Sequence, residues 1–77
     1  MNHPALQHAL RRAAMQIRLA RRAATMSADI ATTAYRLARE HLLHALRIAK
    51  VLGLGGVVAR VLLALREVAK ARTALPV

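Results

Sequence analysis

Two histidines and a glutamate in the middle of the chain come closest to a metal-binding pattern. Glu40, His41 and His44 lie within five residues of one another, in a segment typical of a helix. Side chains three or four apart share one face of a helix, so the two histidines could ligate one ion together. Zinc requires a third or fourth ligand, and the sequence places none nearby. We therefore predict no metal site and a surface pair between Glu40 and His44.

The sequence also lacks a set of side chains for catalysis. It has no cysteine, three carboxylates (Asp29, Glu40 and Glu67) and one serine, Ser27. Ser27 precedes a helical segment and suits an N-cap. Nucleophilic catalysis needs a nucleophile, a base and a group that orients the base. We expect no enzymatic activity and no cofactor.

Positive charge dominates the composition. The chain has 13 Lys and Arg residues against 3 Asp and Glu, a formal net charge of +10. Such a charge repels itself, and a nucleic acid or an anionic membrane would relieve the repulsion. Arginine outnumbers lysine, which suits bidentate contacts with phosphate. A GC-rich coding sequence would also enrich arginine and alanine, so composition alone leaves both explanations open.

Three segments have the periodicity of amphipathic helices, near residues 4–24, 28–52 and 56–72. Pro4 suits the first turn of the first segment, and Asp29 favours the start of the second through the helix dipole. No segment alternates with period two, so we expect no strands. The sequence predicts an all-α, three-helix single domain over residues 1–77, with a loose tail at 73–77.

Each helix is predicted to bury one apolar seam. The seams are Leu6, Leu10, Ala13, Ile17, Ala20 and Ala24 in the first helix, Ile30, Ala34, Leu37, Ala38, Leu42, Ala45, Ile48, Ala49 and Leu52 in the second, and Leu54, Val58, Val61, Leu65 and Val68 in the third. A polar stripe of Arg36, Arg39, Glu40, Arg47 and Lys50 lines the second helix, and Leu43 and Leu63 are expected to be exposed. The core is thin and has no Phe or Trp, so we expect a homo-oligomer or a larger protein partner.

All three glycines stand in one stretch, Gly53-Leu54-Gly55-Gly56, between the second and third helices. Gly53 suits a helix end because glycine tolerates the left-handed conformation. The other two permit a sharp turn, and the next helix directs its N-terminus at the same point. Backbone amides and the helix dipole can hold a phosphate there. The connection is therefore predicted to be a tight, glycine-rich helical hairpin.

The stretch from Ile48 to Leu63 resembles the helix-hairpin-helix motif of DNA repair enzymes, DNA-uptake proteins and one ribosomal protein. The matching positions are Ile48, Val51, Gly53, Leu54, Gly55, Ala59, Leu62 and Leu63, with Ala59 as the small residue of the helix crossing. The family usually has polar or basic residues after the second glycine, where this chain has Gly56, Val57 and Val58. The resemblance implies non-catalytic binding to nucleic-acid backbone without sequence readout.

By this resemblance, the phosphate contacts would come from the backbone of residues 53–57. Leu54 would pin the two helices together, and two flanking side chains would add charge. The residues implied are Lys50, Gly53, Leu54, Gly55, Gly56, Val57 and Arg60.

Two other functions fit the same composition. The chain could be a helical protein-interaction module, an adaptor or inhibitor of a larger partner, or a cationic membrane-surface protein. No apolar run approaches the roughly 20 residues of a membrane span. We expect a cytoplasmic protein. Residues 1–28, which contain five arginines and no acid, are also similar to a mitochondrial targeting presequence.

Overall fold

The computed structural model describes residues 3–76 as three α-helices joined by short connections. Helix α1 spans Pro4–Ala23, α2 spans Ala28–Val51 and α3 spans Gly55–Thr73, with no strand in the described range. Connections this short make neighbouring helices antiparallel. The predicted all-α, three-helix architecture is confirmed, and each predicted boundary lies within one residue of the observed one. Residues 1, 2 and 77 of the predicted domain lie outside the described residues.

The first turn of α2 is built as its sequence predicts. Ser27 is the N-cap residue with an extended backbone, and the Ile30 amide donates a hydrogen bond of 3.3 Å to the Ser27 hydroxyl oxygen. Asp29 lies in the same first turn, where its charge stabilises the helix dipole. A capped start lets α2 begin directly after the short connection that follows α1.

Alanines form the contact between α1 and α2. Ala13 and Ala20 of α1 and Ala31, Ala38 and Ala45 of α2 have at most 1% of their surface exposed. The α2 alanines recur every seven residues, so they return to the same side of the helix. Small side chains let the two backbones approach closely and pack over most of their length. The predicted first-helix seam is confirmed at Leu6, Ala13 and Ala20, whereas Leu10, Ile17 and Ala24 are half-buried.

Helix α3 packs on a different side of α2 from the alanine contact. Its buried residues are Val61 and Val68, and they join a core cluster that includes Tyr35, Leu42 and Leu46 of α2. Helices α1 and α3 approach each other much less closely than either approaches α2. The central helix therefore carries both contacts, and a shallow groove separates the outer two.

The burial pattern of α2 differs from the prediction at several positions. Ile30 and Leu52 were expected in the buried half, yet both are exposed. Tyr35 and Leu46 were not assigned to the seam and are buried, and Leu43, expected to be exposed, is half-buried. The reason is that α1 and α3 pack on different sides of α2. Together they cover only part of its wide apolar arc. The predicted exposure of Leu63 is confirmed.

Candidate nucleic-acid interface

The turn after α2 is organised by Gly53. Its φ angle is +70°, the only positive φ in the described chain. The Gly53 amide donates to the Lys50 carbonyl at 3.1 Å, and the Leu54 amide donates to the Ala49 carbonyl at 3.0 Å. This pair of bonds defines a Schellman motif, which requires a left-handed residue after the last helical turn. The predicted role of Gly53 as the helix end is confirmed.

Leu54 is the last of the three residues that connect α2 and α3. Its backbone angles, φ −90° and ψ 75°, make an inverse γ-turn, in which the Gly55 amide donates to the Gly53 carbonyl at 3.2 Å. Its carbonyl accepts the Val58 amide at 2.9 Å, which closes the first turn of α3. The half-buried Leu54 side chain packs against the core, so it pins the hairpin.

These bonds narrow the set of amides that a phosphate could contact. The amides of Gly53, Leu54 and Gly55 already donate within the turn. The amides of Gly56 and Val57 find no acceptor among residues 3–76, and α3 has no side-chain N-cap. These two N–H groups therefore lie uncapped at the positive end of the α3 dipole. A Cβ built on Gly56 meets no atom within 4 Å, so the approach is open.

Lys50 and Arg60 flank the turn as exposed cations. Lys50 belongs to the last turn of α2. Arg60 lies in the second turn of α3 and, with Leu10, Leu42 and Val57, lines a depression of about 180 Å³ between α1 and α3. Neither side chain forms a salt bridge with a described acid. Each can therefore contribute its full charge to an anion near the turn.

A basic stripe on α2 extends the candidate interface beyond the turn. It consists of Arg36, Arg39, Arg47 and Lys50, all exposed, with the exposed Glu40 beside them, and their helical spacing places these residues on one side of α2. The stripe is about 21 Å long at 1.5 Å per residue. The one salt bridge in residues 3–76 joins Lys70 Nζ and Glu67 Oε1 at 3.9 Å, on α3. Of these four basic residues, the sequence analysis assigned only Lys50 to the binding site. The spacing of the three arginines already indicated that they share its side of α2.

Four of the positions that carry the hairpin resemblance are exposed on the helices that flank the turn. They are Val51 on α2 and Ala59, Leu62 and Leu63 on α3. Ala59 was expected at the helix crossing, but the buried residue of this part of α3 is Val61.

Other chemistry is scarce in the described chain. No three His, Cys, Asp or Glu side chains in residues 3–76 come together as ion ligands. None of the described helices combines the length and apolarity needed to cross a bilayer.

Compared with protein-family models, curated proteins and solved structures, the chain has no significant match.

Proposed function

We propose that this chain is a small, basic, non-catalytic protein that binds nucleic-acid backbone without sequence specificity. The observation that carries the proposal is the basic stripe on α2, which ends at Lys50 beside the uncapped N-terminus of α3. In this proposal the Gly56 and Val57 amides bind one phosphate. The stripe and Arg60 neutralise others along the strand.

The preferred ligand is a duplex rather than an unpaired strand. Proteins that bind single strands stack bases on exposed aromatic side chains. The only aromatic residue of the sequence is Tyr35, which is 5% exposed. The stripe is about as long as the rise of six base pairs at 3.4 Å each. Contacts of this kind read backbone shape and charge, not base identity.

A second candidate function is a helical protein-interaction module. Exposed Leu19 and Ile30 on the side of the α1–α2 pair away from α3 favour it. A cationic membrane-surface protein is the third alternative, since it uses the same positive charge.

We place the protein in the cytoplasm. The contribution of Leu6, Ala13 and Ala20 to the core supports a role of residues 4–23 in the fold, and mitochondrial targeting by this basic helix stays an alternative prediction.

Titration with duplex DNA at several salt concentrations tests the proposal. With five cations at the backbone, log K should fall against log[salt] with a slope of about −4 to −5. Lys50→Ala and Arg60→Ala should each reduce that slope by about one and weaken binding uniformly across sequences. Lys70→Ala, which removes an equal charge from the ion pair on α3, is the matched control.

Anionic vesicles in parallel titrations separate the alternatives. Duplex affinity that is indifferent to both Lys50→Ala and Arg60→Ala would contradict the proposed site. Vesicle binding without duplex binding would identify a membrane-surface protein instead. If the chain binds neither the duplex nor the vesicles, the protein-interaction module becomes the better explanation.

A further inference from the structure

Helix α1 carries a second line of basic side chains on its outer surface. Arg11, Arg18 and Arg22 are all exposed, and their spacings of seven and four residues align them on one side of the helix. We call these three residues the α1 stripe. The buried residues of α1 lie on the opposite side of the helix, which packs on α2. They include Leu6, Ala9, Ala13 and Ala20. The α1 stripe therefore points away from α2.

No acid interrupts the α1 stripe. Helix α1, Pro4–Ala23, contains five arginines and no Asp or Glu. The one salt bridge in the described part of the chain joins Lys70 and Glu67 on α3, so none of the α1 arginines is paired there. The stripe presents three positive charges along about 16 Å, at 1.5 Å per residue. It is therefore a surface of uniform positive charge.

The basic stripe on α2 points in nearly the opposite direction. The line of alanines that contacts α1 contains Ala31, Ala38 and Ala45. At 3.6 residues per turn, the basic stripe is centred roughly 140° around α2 from that line. Two acids share its side of α2, Glu40 beside the stripe and Asp29 before it, so four cations outnumber two acids there. The two stripes therefore lie on opposite sides of the α1–α2 pair, and both are basic.

A single duplex cannot contact both stripes. The axes of packed helices lie about 8–10 Å apart and each helix extends about 5 Å from its axis, so roughly 20 Å separates the stripes. The persistence length of DNA is about 150 base pairs, so a duplex does not fold around an object this narrow. Each stripe therefore has to take a different segment of duplex.

We propose that one molecule of this chain bridges two duplex segments, one on the basic stripe of α2 and the other on the α1 stripe. The inference rests on the proposed function, and charge complementarity with phosphate identifies the second occupant. The α1 stripe consists of arginine alone, whose guanidinium binds phosphate oxygens in a bidentate manner. Two duplexes about 20 Å apart are separated by twice the Debye length at 0.1 M salt, so their mutual repulsion is largely screened.

The outer surface of α1 favours a duplex over an anionic membrane. Interfacial helices bury an apolar face in the headgroup region, but the apolar face of α1 already packs in the core. Met15 and Leu19 are the large apolar side chains of α1 that are exposed, at 52% and 46%. Two such side chains offer little apolar area for insertion, whereas the three arginines suit a charged backbone.

Sedimentation velocity with excess short duplex tests the stoichiometry. A duplex of about 12 base pairs is about 41 Å long, which matches the 40 Å length of the molecule. The wild-type chain should form a complex of one chain with two duplexes. Arg11→Gln combined with Arg18→Gln should bind one duplex, because the loss of two phosphate contacts weakens the second site about 60-fold at 0.1 M salt.

The matched control removes the same charge from another helix. Lys70→Gln combined with Arg72→Gln alters two exposed residues in the last turn of α3, and this variant should still bind two duplexes. Arg36→Gln combined with Arg47→Gln should also bind only one duplex, on the α1 stripe. Circular dichroism should show unchanged helix in all three variants, because every substituted side chain is exposed.

Co-capture measures bridging directly. A duplex fixed on beads should retain a second, fluorescent duplex when the wild-type chain is added. Retention should fall at least tenfold for the Arg11/Arg18 variant and for the Arg36/Arg47 variant, and it should persist for the Lys70/Arg72 variant. Equal retention by the Arg11/Arg18 and Lys70/Arg72 variants would overturn the inference.

The stoichiometry distinguishes failure of bridging from failure of the proposed function. A wild-type complex with one duplex, weakened by the Arg36/Arg47 substitutions, would overturn bridging and retain the proposed function. A complex of two chains with two duplexes would also overturn the inference, because a dimer would then join the duplexes. If the wild-type chain binds no duplex even at low salt, both proposals are wrong. If it binds one duplex and the Arg11/Arg18 variant loses binding to anionic vesicles, the α1 stripe contacts a membrane instead, and bridging is rejected.

Discussion

The Leu54 amide donates a 3.0 Å hydrogen bond to the Ala49 carbonyl, across the left-handed residue Gly53. This bond ends α2 and sets where α3 begins, only two residues after Gly53. The three glycines of the turn therefore have different structural roles. Gly53 supplies a backbone conformation, while Gly55 and Gly56 occupy ordinary helical positions with open space around them.

Alanine substitution at Gly53 and Gly56 should change stability in opposite directions. Gly53→Ala forces a Cβ into the left-handed region and should lower the free energy of unfolding by about 1–2 kcal/mol. Gly56→Ala meets no neighbouring atom and should raise it by about 0.5 kcal/mol, because alanine loses less entropy in a helix. Urea denaturation of both variants measures the difference. Equal effects would contradict the distinction.

Gly56→Asp should stabilise the fold and weaken duplex binding. A carboxylate in the first turn of α3 interacts favourably with the dipole and should stabilise the helix by about 0.3–1 kcal/mol. The same charge beside the free amides should weaken duplex binding through repulsion of phosphate. Met26→Asp makes an equal charge change at an 81% exposed residue near the other end of α2, and should affect binding less. Thermal unfolding and DNA titration together check the opposite signs.

The alanine contact between α1 and α2 should not accept a larger residue. Ala38 has 0% of its surface exposed, so Ala38→Leu should cost about 1–3 kcal/mol through overpacking. Ala14→Leu adds the same atoms to an exposed position of α1 and serves as the control. Chemical denaturation should show a much lower midpoint for Ala38→Leu alone. Similar midpoints would mean that the helices are not held this closely.

Removal of the α2 cap should cost about 1 kcal/mol. Ser27→Ala deletes the oxygen that accepts the Ile30 amide, whereas Ser27→Asp keeps an acceptor and should retain stability. Thr25→Ala, in the same connection, removes a hydroxyl that only donates to the Arg22 carbonyl at 3.4 Å and should have little effect. Thermal unfolding distinguishes the three variants.

Local chemistry was sufficient to predict the helices and the turn. Ser27 and Gly53 act within a few residues of themselves, through a side-chain acceptor and a left-handed backbone, so their roles are legible in the sequence. The helical periodicities predicted all six helix boundaries to within one residue. The free amides of Gly56 and Val57 also follow from local geometry, once the hydrogen bonds of the turn are known.

Which apolar side chains are buried was decided only by tertiary packing. The sequence gives α2 an apolar arc wider than one neighbour can cover, so Ile30 and Tyr35 were equally eligible for burial. Alanines draw α1 and α2 together along one line, and α3 then covers Tyr35 and Leu46 but not Ile30. Burial depends on the directions in which neighbouring helices lie, and no single helix encodes those directions in its own residues.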